Sequence, residues 1–165
     1  MTVNKKLAIF DLDHTILKCN SDHSWLDYLI NKGFIKREEY FEQNAEFQKK
    51  FKEGSVNYKD YYEFTIQYLK DKSDDYISEI RSDFMKEIIE PSINIYALRL
   101  IHKHYEKDEE LLLASGTTSI IAGPIAKRLE FKNVVCTTCE KENNIYTGRI
   151  EAVSYTHLTL PTKVT

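Results

Sequence analysis

Leu7-Ala8-Ile9-Phe10 is an unbroken apolar run that ends at Asp11, and a second acid, Asp13, follows two residues later. Such a short run suits a strand better than a helix. It fits a strand buried on both faces, as strands are in a parallel sheet flanked by helices. Polar residues at the carboxyl end of that strand then lie where open α/β sheets gather their ligand sites. One short stretch thus indicates both an architecture and a place on it.

The rest of the chain agrees. From Asp22 to about Tyr105, apolar residues recur at helical spacing. The stripes are Trp25, Leu26, Leu29 and Ile30; Tyr40, Phe47 and Phe51; Tyr61, Tyr62, Thr65, Ile66 and Leu69; and Tyr76, Ile77, Ile80, Phe84 and Ile88. Breaks at Asn31-Lys32-Gly33, at Gly54-Ser55 and from Asp71 to Asp74 separate them. Ser73 or Asp74 is expected to cap the fourth helix, with Pro91 just past its end, and a fifth helix is predicted from about Ile93 to Tyr105.

Leu111-Leu112-Leu113-Ala114 reads as a second buried strand ending at Ser115, Ser119 to Leu129 as a helix, and Val134 to Thr138 as a third strand. Asn143-Asn144 ahead of Ile145 to Ile150 predicts a hairpin. The expected fold class is α/β, a Rossmann-like parallel sheet core built from residues 1–17 and 107–152. An α-helical cap over residues 18–106 is inserted after the first strand.

Two carboxylates at i and i+2 leave a strand end on the same side and can face one cavity. A carboxylate can attack phosphorus and form an aspartyl-phosphate. A neighbouring carboxyl can protonate the leaving oxygen and then activate water against the acyl phosphate. Close carboxylates resist joint ionisation, so one pKa rises and suits the acid role. A hard divalent cation relieves the repulsion, and Mg²⁺ favours carboxylate and phosphate oxygens. At the end of the second strand, Ser115-Gly116-Thr117-Thr118 offers a hydroxyl, backbone N–H groups and a glycine just before a helix. That combination can cradle a phosphate oxygen.

LAIFDLDHTIL, followed after the helical insert by LLLASGTTSIIAGPIAKRL, resembles the haloacid dehalogenase superfamily, and within it the phosphoserine-phosphatase-like hydrolases. KEN-NIYTGRI also resembles the family's acidic-to-YTGR hairpin, so the likeness spans residues 5 to 151. The resemblance implies Mg²⁺-dependent hydrolysis of a small phosphorylated metabolite, phosphoserine-like. It implies Asp11 as nucleophile and Asp13 as general acid/base. Asp11 and the backbone carbonyl of Asp13 would bind the metal, and Ser115 and the Gly116 N–H would hold the phosphate.

In similar proteins the first helix of the cap helps to select substrate, which makes Asp22 a candidate for contacting a substrate amine. The competing reading makes Asp22 the N-cap of that helix and Trp25 part of the cap core. Two family motifs, a phosphate-neutralising Lys and a further acidic pair, find no match up to Ala152.

The tail from Val153 to Thr165 reads VSYTHLTLPTKVT and resembles the conceptual translation of a transposon-type sequencing adapter. It is expected to be non-native, with the native chain continuing past Ala152 and this fragment poorly active by itself. Lys163 lies in that stretch and is left unassigned.

Charge is nearly balanced, at −3 over 165 residues, so no basic surface for nucleic acid or an anionic membrane is expected. The apolar run before Asp11 is too short for a signal peptide, and the three cysteines, Cys19, Cys136 and Cys139, read as reduced thiols. A cytoplasmic protein is expected. Cys136 and Cys139 form a lone CxxC and lack the two further ligands that a structural zinc needs. His14 sits between the acids, and in an extended segment its side chain points away from both. Tyr58, Tyr61, Tyr62, Phe64 and Tyr68 lack the basic groove that base stacking uses and read as cap core. Two other classes compete: a receiver-like domain phosphorylated on Asp, and a non-catalytic interaction module with a vestigial motif. A receiver-like domain has no place for the helical insert.

Overall fold

The computed structural model describes residues 5–154. Four strands form one sheet in the order β1–β2–β3–β4. They are β1 (Leu7–Phe10), β2 (Glu110–Thr118), β3 (Asn133–Glu142) and β4 (Ile145–Ala152). The first three run parallel, with Phe10 opposite Leu113 and Leu113 opposite Val134. β4 returns antiparallel to β3. The reversal is made by Asn143 and Asn144 at φ 50° and 65°, the left-handed pair that a tight type I′ hairpin requires.

Between β1 and β2 run α1 (Ser21–Asn31), α2 (Arg37–Lys52), α3 (Tyr58–Thr65), α4 (Asp74–Phe84), α5 (Glu90–Ser92) and α6 (Ile95–Glu106). α7 (Ser119–Arg128) joins β2 to β3. The helix starts follow from local chemistry. Asn20, Asn57, Ser73 and Asn94 each accept a first-turn backbone N–H through a side-chain oxygen. Ser73, rather than Asp74, caps α4, and Asn20, rather than Asp22, caps α1. Pro91 does not lie beyond a helix end. α4 continues through a wide π turn, Met85–Ile89, and Pro91 then opens α5, where its missing N–H is not needed.

One hydrophobic core runs from the sheet into the insert. Phe10, Leu111 and Leu113 are buried with Ile101 of α6 and Ile121 and Ile125 of α7. The expectation that β1 is buried on both faces is not met: Leu7 and Ile9 are 53% and 47% exposed. Both crossovers step the sheet in the same direction, so the right-handed rule puts α6 and α7 on one face. The opposite face of β1 stays uncovered among the described residues.

Within the insert, Trp25 meets Phe84 edge-on at 4.9 Å between ring centres, and its indole N–H donates to the Tyr68 hydroxyl. The segment before α4 is stitched to β4. Asp71 N–H donates to the Tyr146 carbonyl and Tyr146 N–H to the Lys72 carbonyl, both at 2.9 Å. The chain rejoins the core at Ile93, which bridges Leu17, and the His104 ring packs edge-on against Phe10. α2 differs from its neighbours, because it buries no residue and meets α3 through rings such as Phe47 on Phe64 and Phe51 on Tyr61. No helix among the described residues is long and apolar enough to cross a membrane. The expectation for the tail from Val153 to Thr165, with His157 and Lys163, falls almost wholly outside the described residues.

Candidate active site

The turn after β1 is set by its buried residues. Leu12 and Ile16 are inserted into the core, so alternation along the chain turns Asp11 and Asp13 to the other side. His14 adopts φ 57°, and the chain folds back until the Thr15 hydroxyl donates to Asp11 Oδ2 at 3.0 Å. His14 itself is exposed and does not line the cavity described below, although its backbone is not extended as the sequence reading assumed.

Asp13 is held firmly. Its Oδ1 accepts from the Ser21 N–H at 2.9 Å and the Ser21 hydroxyl at 2.6 Å, and its Oδ2 accepts from the Thr117 hydroxyl at 3.1 Å. Ser21 is fully buried and opens α1, so the acid pair and the first insert helix are tied together.

At the end of β2 the ladder with β3 slips between Ala114 and Thr118. Ser115, Gly116 and Thr117 leave the regular pairing there. The Ser115 hydroxyl donates to Thr117 Oγ1 at 3.0 Å and accepts the Thr117 N–H at 3.1 Å. The Gly116 carbonyl accepts the Thr137 hydroxyl at 2.7 Å, which fixes the loop to β3. A run of bonds thus connects Ser115 through Thr117 to Asp13.

These groups face a common cavity of about 300 Å³. Asp11, Asp13, Ser115, Gly116 and Thr117 form its floor. Asn20, Asp22, His23 and Leu26 from the start of α1, with Tyr61, Tyr62 and Thr65 from α3, form the rest. All five residues singled out from the sequence, Asp11, Asp13, Asp22, Ser115 and Gly116, therefore come together. Ser21, Thr117 and Thr118 were missed as site residues. Their hydroxyls lie in Asn20-Ser21-Asp22 and Ser115-Gly116-Thr117-Thr118, two small polar runs beside helix starts, and that is the signal that could have found them. Tyr61 and Tyr62 read as cap core, yet both reach the cavity wall.

Asp22 does not cap its own helix. Its carboxylate accepts the Thr118 N–H at 3.1 Å and the Thr118 hydroxyl at 2.8 Å. Burial pushes its pKa up to about 7; the Thr118 bonds oppose the rise and the charge of Asp13 adds to it. Burial likewise pushes the Cys139 thiol up to about 12 and the Cys136 thiol above its ordinary value. That keeps both protonated, and neither is paired in a disulfide.

Among the described residues there is no cluster of three His, Cys, Asp or Glu side chains placed to hold a metal, and no Lys or Arg lines the cavity. Asp11 is exposed at the cavity, and among the described residues its Oδ1 accepts no hydrogen bond. A site with one or two carboxylates and open water suits Mg²⁺, which keeps several of its waters, better than zinc.

A parallel α/β core with a helical insert over an acid pair and a hydroxyl loop, all at strand ends, defines a Rossmann-like hydrolase with a capped site. The sequence matches the haloacid dehalogenase-like hydrolases over residues 8–158, and the chain belongs to that family. A histidinol-phosphatase from Neisseria meningitidis serogroup C (strain 8013) is 32% identical over 145 residues, which are 87% of this chain and 65% of the relative. This chain thus spans just under two thirds of that protein's length.

Among solved structures, a Bordetella pertussis Tohama I protein of unknown function superposes with a TM-score of 0.82 at 28% identity, over 91% of this chain and 68% of that one. A phosphoserine phosphatase captured as a phospho-aspartyl intermediate analogue has a TM-score of 0.57 at 19% identity, over 91% of this chain and 64% of that one. The last likeness is one of fold.

Proposed function

We propose that the protein hydrolyses a small phosphomonoester through an aspartyl-phosphate on Asp11. The observation that carries this reading is the bonded run Ser115–Thr117–Asp13, which opens on the same cavity as Asp11. In the first step an Asp11 carboxylate oxygen attacks phosphorus and the bond from phosphorus to the ester oxygen breaks. Asp13, as the carboxylic acid, gives its proton to the leaving alkoxide. In the second step Asp13 takes a proton from water as that water attacks the phosphorus. Inorganic phosphate leaves and the Asp11 carboxylate is restored.

The Ser115 hydroxyl and the Gly116 N–H steady the phosphoryl oxygens. Asp11 and Asp13, the latter through its backbone carbonyl, would hold Mg²⁺. A bound Mg²⁺ supplies positive charge against the phosphoryl oxygens. The carboxylate of Asp13 is already committed to Ser21 and Thr117, which supports assigning its carbonyl to the metal.

The helical insert is read here as residues 18–92, narrower than 18–106, because Ile93 returns to Leu17 and His104 of α6 packs on Phe10. Three acids line the cavity, with His23 and, among the described residues, no Lys or Arg. An ester whose alcohol carries a cationic nitrogen supplies the missing charge, and Asp22 is the acid left to meet it. Histidinol phosphate and phosphoserine, the substrates named by the relatives, are both esters of amino alcohols. No basic surface for nucleic acid and no membrane contact enter this reading, and a cytoplasmic location accords with it.

The test is release of p-nitrophenolate from p-nitrophenyl phosphate by the wild type and by Asp11→Asn, with Mg²⁺ and with a chelator. Slow turnover that needs both Asp11 and Mg²⁺, with radiolabelled phosphate transiently on the protein, is expected. Full turnover in Asp11→Asn overturns the proposal. Stable labelling without turnover favours the receiver-like alternative.

A further inference from the structure

The part of the cavity wall built by α1 and α3 holds an acid and two aromatic rings, Asp22, Tyr61 and Tyr62. All three are partly exposed, so each has surface open to a ligand. Asp22 forms no ion pair with a Lys, Arg or His among the described residues. Its hydrogen bonds come from the Thr118 N–H and hydroxyl, and the charge that acts on it is Asp13, a second acid. Charges withdrawn from water are normally paired. This carboxylate has its counter-charge still to come.

The two rings stand around that acid. The charge of Asp22 is felt at both the Tyr61 and the Tyr62 hydroxyls. The residues are successive in α3, with ring centres 5.9 Å apart and planes inclined by 56°, so they form a corner and not a stack. Phe47 and Phe51 of α2 meet Tyr61 edge-on at 5.5 and 5.0 Å, which braces its ring. Burial raises the Tyr61 phenol above its ordinary value and Tyr62 to about 12, so both stay neutral. The face of a neutral phenol carries partial negative charge and attracts a cation, above all a weakly hydrated one such as an alkylated ammonium.

We infer that Tyr61 and Tyr62 determine specificity for the leaving alcohol, forming with Asp22 a cage for its cationic nitrogen. This deepens the phosphatase reading and rests on it. A plain ion pair with Asp22 would be indifferent to the rings, and plain apolar packing would accept an uncharged group of the same shape. The cage requires both ring and charge.

The test compares kcat/KM for choline phosphate and for neohexyl phosphate, its isostere with carbon in place of the charged nitrogen. The wild type is expected to favour choline phosphate by about tenfold. That ratio should fall by about threefold or more in Tyr61→Leu and in Tyr62→Leu, and hold in Tyr62→Phe, which keeps the ring. A ratio near one in the wild type, or one unchanged in the leucine variants, overturns the inference. Lost packing alone lowers both constants together and leaves their ratio where it was.

Failure of the phosphatase reading shows separately, as no hydrolysis of p-nitrophenyl phosphate. The cage is then judged by binding. Choline and neohexanol are titrated into the 165-residue chain while the tyrosine ring signals are followed by NMR. Saturable movement with choline, at concentrations where neohexanol has no effect, supports the cage. An equal response to both, or none to either, overturns it.

Discussion

The Asp22 carboxylate caps a helix to which it does not belong. It takes the N–H and the hydroxyl of Thr118, at 3.1 and 2.8 Å, at the start of α7, while Asn20 caps α1. The positive end of α7 welcomes the charge, but burial resists it. The bond joins the insert to the loop that would hold the phosphate.

Stability should therefore depend on Asp22 with a definite sign. Its pKa is raised from 3.8 to about 7, chiefly by burial. Its contribution is fully present below pH 4 and is lost as pH rises through 7. Relative to Asp22→Asn, the wild type should lose on the order of 2–4 kcal/mol between pH 4 and pH 8 in urea unfolding. Parallel pH profiles would rule out the buried charge.

Ser21→Ala should act through Asp13. The hydroxyl donates to a carboxylate in a fully buried position, so its loss should cost about 1–3 kcal/mol of stability. Turnover of p-nitrophenyl phosphate should fall by about tenfold as Asp13 loses its alignment. A variant as active and as stable as the wild type would show that Asp13 is positioned by Thr117 alone.

Tyr146 anchors the insert to β4. Its hydroxyl donates to Asp74 Oδ1 at 2.5 Å, and although burial opposes it, this bond with Lys141 holds the Asp74 carboxyl below its ordinary value. Tyr146→Phe should lose about 1–2 kcal/mol above pH 4. The deficit should shrink as pH falls below that, because a depressed carboxylate gives up its contribution on protonation. Thermal melts at pH 7 and pH 3 measure the difference.

Cys139 should resist thiol reagents. It is buried, with its pKa pushed up to about 12, so little thiolate exists at pH 8. Reaction with Ellman's reagent should leave Cys139 unmodified in the native protein and modify it in denaturant, as peptide mapping would show. Rapid native labelling of Cys139 would mean that β3 opens readily.

Much of this was legible from short-range pattern. Leu7 to Phe10, the Asn143-Asn144 reversal and the acid pair at a strand end depend on neighbours in sequence, and each fell where its residue types require. What was not legible depends on distant partners. Asn20 and Asp22 are both good caps. The choice between them is made by the grip of Asp13 on Ser21 and of Thr118 on Asp22, and Thr118 lies 96 residues away from Asp22. Leu7 and Ile9 looked like interior residues, but exposure depends on which face the crossover helices take. Pro91 looked like a stop signal because a π turn, which re-phases the helix before it, leaves no mark in composition.

The weak seating of α2 makes it the part of the insert expected to loosen first. The neighbouring segment is sewn to β4 by backbone bonds, whereas α2 is retained by stacked rings and buries no side chain of its own. Local opening is then expected to begin at this helix, and not as the swing of a whole lobe. Its tempo would be that of aromatic contacts parting and re-forming, on the microsecond-to-millisecond scale of such motions.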